Sequence, residues 1–104
     1  MKKIYNKLVR DRIPEVIEKA GKEAEIHQVN SLALHKYALD KLREEVEEFV
    51  ENPCAEEAAD VLEILDFICT REGISDREIK AAAIAKRVER GAFEMGYILE
   101  WVEE

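Results

Sequence analysis

Asn52-Pro53 interrupts a helical pattern that otherwise runs from Ser31 to Arg71. Proline lacks the amide a helix needs and clashes with the preceding turn, so the pattern must divide there into two helices. Helices joined by so short a connection are neighbours, and the expected arrangement is antiparallel. Ser31 reads as the N-cap of the first, which extends to about Glu51; the second runs from about Cys54 to Arg71 and stops at Gly73. Ser75 and Glu78 have capping-box spacing for a further helix that ends near Gly91. Upstream, Ile13-Pro14-Glu15-Val16-Ile17 opens a short helix that Gly21 closes, proline being tolerated in a first turn. Residues 23–29 alternate weakly, and residues 96–102 hold Tyr97, Ile98, Leu99, Trp101 and Val102; these two stretches are the candidates for a short two-stranded β element. The expected fold is mainly α, an antiparallel bundle of about four helices forming a single domain over residues 1–104.

Charge limits what such a bundle can bind. The formal net charge of -8 repels a nucleic acid polymer, so a chain like this handles phosphates only through a local cationic pocket, a metal, or both. No run approaches the length of a membrane span, and no apolar segment follows the basic N-terminus, which predicts a cytoplasmic protein without a membrane partner. Cys54 and Cys69 form no CxxC motif and read as small buried hydrophobes. His27 and His35 are isolated, Tyr97 and Trp101 read as packing residues, and neither a glycine-rich phosphate loop nor a Ser–His–acid set is present.

The acids on the two central helices do not all fall where solvated acids belong. At about 100° per residue, Val61, Leu62, Ile64, Leu65, Ile68 and Cys69 make a wide apolar arc, with Glu56, Glu63 and Asp66 opposite it. Glu57 projects in line with Val61, Ile64 and Ile68, and Asp60 projects between Ile64 and Phe67. Two carboxylates three residues apart on a core face repel each other and are costly to bury, so protonation, a cation or a metal must compensate them. On the preceding helix Leu32, Leu39, Leu42, Val46, Phe49 and Val50 form the stripe. Glu45 lies at its edge, Glu48 follows one turn on, and Glu47 and Glu51 look outward. An antiparallel partner brings Glu45 and Glu48 opposite Glu57 and Asp60, a hard-oxygen set suited to Mg²⁺ or Mn²⁺. Further along, Ile79, Ala82, Ala83, Lys86 and Arg90 share a helix face with Arg87 beside it, placing cations to reach phosphates or to pair with the acids.

These residues resemble the all-α nucleoside triphosphate pyrophosphatase superfamily, the MazG-like group, whose mark is ExxE on one helix and ExxD on the next. Here the motifs read Glu45-Val46-Glu47-Glu48 and Glu57-Ala58-Ala59-Asp60. Tyr5-Asn6-Lys7-Leu8-Val9-Arg10-Asp11-Arg12-Ile13-Pro14 and Lys86-Arg87-Val88-Glu89-Arg90-Gly91-Ala92-Phe93 are similar to the opening and closing blocks of a small branch labelled as similar to phosphoribosyl-ATP pyrophosphohydrolase. Eight residues separate Glu48 from Glu57, a shorter spacer than the superfamily usually has.

The resemblance implies a homodimer or homotetramer that cleaves nucleoside triphosphates between the α- and β-phosphates with Mg²⁺, as a house-cleaning activity. It implies Glu45, Glu48, Glu57 and Asp60 as metal ligands and Glu44 as a possible helper base. Lys86, Arg87 and Arg90 would bind phosphate, with Asn6, Lys7, Arg10 and Arg12 as further substrate candidates. Hydrolysis of phosphoribosyl-ATP is the alternative within the superfamily. A non-catalytic helical oligomerisation or nucleotide-sensing module is the alternative of another class.

Overall fold

The computed structural model describes residues 1–103, which contain four helices: α1 (Ile13–Lys19), α2 (Ser31–Glu51), α3 (Ala55–Arg71) and α4 (Asp76–Arg90). The chain divides into two compact units, Met1–Glu72 with α1 to α3 and the stretch from Gly73 on with α4.

Local chemistry sets the helix ends. Asn30, rather than Ser31, caps α2: its side chain accepts a hydrogen bond from the amide of Ala33 at 2.9 Å, and Ser31 is already helical. Either residue type satisfies an orphan amide, and the one in extended backbone takes the role. Pro14 sits in the first turn of α1, and Pro53 falls between α2 and α3. Ser75 and Glu78 complete the capping box of α4 in both directions. Beyond α3 and α4, Gly73 and Gly91 take positive φ, a conformation that costs glycine nothing.

The short β element expected from residues 23–29 and 96–102 is absent: no strand forms among the described residues. In 23–29 only Ile26 and Val29 are large and apolar, and an isolated ribbon is marginal without a sheet or helix beneath it.

Within the first unit α2 and α3 pack along each other. Asn52–Cys54 joins them at one end. At the other end the Arg71 guanidinium donates to the carbonyl of Ser31 at 2.9 Å and to its hydroxyl at 3.0 Å. The shared face follows helical periodicity, with Leu34, Tyr37, Ala38, Lys41, Leu42 and Glu45 on α2 at least half-covered. Facing them on α3 are Glu57, Val61, Ile64 and Ile68. The most enclosed residues are Ala38 at 1% exposure, Glu45 at 6% and Ile64 at 8%. Glu45 lies seven residues after Ala38, and Glu57 lies seven before Ile64. The stripe that buries apolar residues at one end of the pair therefore carries carboxylates at the end near Asn52–Cys54. Several residues expected in the apolar stripes, including Leu32, Val46, Val50 and Leu62, are exposed.

Candidate functional site

The five acids singled out by sequence converge. One carboxylate oxygen from each of Glu45, Glu57 and Asp60 lies within 4.8 Å of the others, and the same holds for Glu44, Glu45 and Glu48. Glu45 belongs to both triplets and is buried, whereas Glu48 is exposed. Glu45 Oε2 and Glu57 Oε2 are buried and accept no hydrogen bond among the described residues. A buried carboxylate oxygen without a donor costs on the order of 1–3 kcal/mol, and more when charged. Glu48, in the last turn of α2, adds its charge at the negative helix end, where no basic residue stands. Glu57 is better placed, in the first turn of α3.

Three cations compensate part of the charge. Lys41 Nζ lies 3.0 Å from Glu45 Oε1 and 3.5 Å from Glu44 Oε1. Lys7 Nζ lies 2.7 Å from Glu44 Oε1, and Arg10 Nη2 lies 2.7 Å from Asp60 Oδ1. Five acids share three cations, so the cluster is under-compensated, and a divalent ion would offset the surplus. The donors are all carboxylate oxygens, the set that Mg²⁺, Mn²⁺ and Ca²⁺ prefer. The residues thus fit a hard divalent cation.

Lys41 is the site residue that sequence reasoning missed. It stands four residues before Glu45 and three before Glu44, the spacing at which opposite charges meet on a helix. In the N-terminal block, Lys7 and Arg10 reach the acids, while Arg12 pairs with Glu15 on α1 at 3.3 Å. Asn6 adopts a positive φ of 44° and makes no side-chain hydrogen bond among the described residues. Leu8–Asp11 forms one wall of a hollow of about 150 Å³; Glu45, Asp60 and Ile64 contribute to the other. Lys86, Arg87 and Arg90 lie along α4 in the second unit.

Electrostatics separates the two exposed-side acids. The hydrogen bond from Lys7 holds the Glu44 carboxyl below the usual glutamate range, and the same contact raises Lys7 above the usual lysine range. Glu48 shifts the other way: the negative charge of Glu45 raises the Glu48 carboxyl. A carboxyl raised by folding binds protons more readily in the folded chain, so stability falls as pH rises between its unfolded and folded pKa values. Glu48→Gln is therefore expected to stabilise the metal-free protein at neutral pH. The gain should vanish below the ordinary glutamate pKa, where both proteins are uncharged at this position. Thermal melts of both proteins from acid to neutral pH in a chelator check this; a gain that persists in acid would mean that charge repulsion is not its source.

Comparisons with models of protein families, with curated proteins and with solved structures find no match for the chain. No helix among the described residues is long and apolar enough to cross a membrane. The acidic clusters can hold a metal ion, and they lie on an all-helical unit.

Proposed function

We propose that the chain is a Mg²⁺-dependent nucleoside triphosphate pyrophosphohydrolase, releasing pyrophosphate and a nucleoside monophosphate. The observation that carries this reading is Glu45: a carboxylate at 6% exposure, with one oxygen lacking a donor among the described residues, facing Glu57 and Asp60. A helix pair kept only for packing has no reason to place an acid on the stripe of Ala38 and Ile64. The ExxE and ExxD motifs and their flanking blocks point the same way.

In this reading Glu45, Glu48, Glu57 and Asp60 hold the ion, with Mn²⁺ as an alternative to Mg²⁺. An ion held by these four acids would supply charge neutralisation for the triphosphate and a more acidic water. Lys41 orients Glu45 from its 3.0 Å contact. Glu44, held ionised by Lys7 and Lys41, is a weak proton acceptor, which argues against it as the helper base. Lys86, Arg87 and Arg90 are the proposed phosphate-binding cations, and the substrate is a free nucleotide. The antiparallel arrangement draws support from the Arg71–Ser31 contact, which ties the end of α3 to the start of α2. Exposed Leu32, Val50 and Leu62 support assembly as a homodimer or homotetramer.

Pyrophosphate release across ordinary and damaged nucleoside triphosphates, with and without Mg²⁺, tests the proposal. Release that needs Mg²⁺ is the expected result, and its ranking across the panel assigns the base. No release from any triphosphate, with phosphoribosyl-ATP cleaved instead, would transfer the site to that substrate. No release from either would sink the catalytic reading and leave a metal clip in a helical module.

A further inference from the structure

The N-terminal segment brings cations from far along the chain onto the acidic clusters: onto Asp60, a proposed ligand, and onto Glu44, which forms a triplet with Glu45 and Glu48. Arg10 and Asp60 are fifty positions apart, and Lys7 and Glu44 are thirty-seven. Both contacts are 2.7 Å, and both cations are partly exposed, at 54% for Arg10 and 36% for Lys7. Their backbone is placed independently of these pairs. Leu8 and Val9 line the hollow with Ile64 and Phe67, and the carbonyl of Arg10 accepts from the amide of Ile13. The side chains can therefore leave the acids while the segment stays seated. In the same position, 2.7 Å from Glu44, Lys7 Nζ also lies 5.6 Å from the centroid of the Tyr5 ring.

From this geometry we infer that Lys7 and Arg10 are exchangeable counter-ions, which neutralise Glu44 and Asp60 before a divalent ion arrives and then turn to bind the phosphates of the anionic ligand. The inference rests on the metal reading of the acids. Asp60 Oδ1 cannot serve an arginine and an ion together without the two cations repelling each other. A released guanidinium at the rim of the same hollow is a planar, bidentate partner for phosphate oxygens. The segment thereby converts a site with a surplus of negative charge into one that accepts a polyphosphate only once the metal is in place.

Titration of the full chain with Mn²⁺, read from the spin resonance of the free ion, tests the exchange. Exposed ion pairs are worth up to about 1 kcal/mol each, roughly fivefold in affinity. Lys7→Ala with Arg10→Ala should therefore bind Mn²⁺ tighter by on the order of tenfold. Lys2→Ala with Lys3→Ala removes the same charge from the same segment, and neither side chain pairs with an acid of the cluster among the described residues. It should change Mn²⁺ affinity by less than about twofold if long-range charge matters little. Calorimetry with inorganic pyrophosphate on the Mn²⁺-loaded proteins should show the Lys7/Arg10 variant binding severalfold more weakly than the unaltered chain. Equal Mn²⁺ affinity in all three proteins, an equal gain in both variants, or undiminished pyrophosphate binding would overturn the exchange. An unaltered chain that takes up no Mn²⁺ would instead overturn the metal reading beneath it, and would do so before any variant is compared.

Discussion

Glu45→Gln should lower both Mn²⁺ affinity and Mg²⁺-dependent pyrophosphate release by on the order of a hundredfold or more, an effect larger than removal of a supporting contact produces. Glu45 is the acid shared by both triplets, and its Oε2 is a buried acceptor with no donor among the described residues. The amide keeps the shape and retains an acceptor toward Lys41, which stands 3.0 Å from Oε1. It also removes a buried negative charge beside Glu48 and Glu57. The metal-free variant should consequently be as stable as the unaltered chain, or more stable by about 1 kcal/mol. Melts with and without Mg²⁺ separate the two effects: the unaltered chain should gain thermal stability with the ion and the variant should not. A variant that kept full Mg²⁺-dependent turnover would remove Glu45 from the site.

Ile64→Ala should cost about 2–3 kcal/mol, toward the lower end of values for such truncations. The residue is 8% exposed and borders the hollow beside the N-terminal segment, so part of the void can fill or collapse. The loss is still a large fraction of the stability of a small domain. Because Ile64 lies one turn beyond Asp60 and two beyond Glu57, the truncation should also weaken Mn²⁺ binding by loosening the helix that presents them. Urea unfolding in chelator gives the first quantity and Mn²⁺ titration the second. A cost under about 0.5 kcal/mol, the size of an ordinary surface change, would mean that the contact between α2 and α3 is not the core of the first unit.

The helices were legible because their punctuation is chemical. Pro53 has no amide to give, Ser75 and Glu78 cap reciprocally, and Gly73 and Gly91 take backbone that other residues resist. The inward turn of Glu57 and Asp60 followed from the rotation per residue, and both are half-covered in the structure. The choice of Asn30 over Ser31 as cap did not follow, since two adjacent capping residues differ only in which one stays extended. Weak alternation in 23–29 misled because periodicity reports which face is apolar, not whether a neighbouring strand exists to complete a ladder. The seats of Lys7 and Arg10 lay beyond reach for a different reason. Pairs separated by thirty-seven and fifty positions leave no local pattern, whereas Lys41, four residues before Glu45, did leave one.

The two ends of the α2–α3 pair are held by different kinds of force. Near Ser31 and Arg71 the grip is hydrogen bonding beside the apolar contact of Ala38, with His35 Nδ1 3.6 Å from Glu72 Oε1. Near Asn52–Cys54 the grip is ionic, with like charges facing one another across the seam. Local opening is therefore expected to start at the acidic end, the less compensated of the two. An ion that closes that end would spread the rigidity of the other along the whole pair.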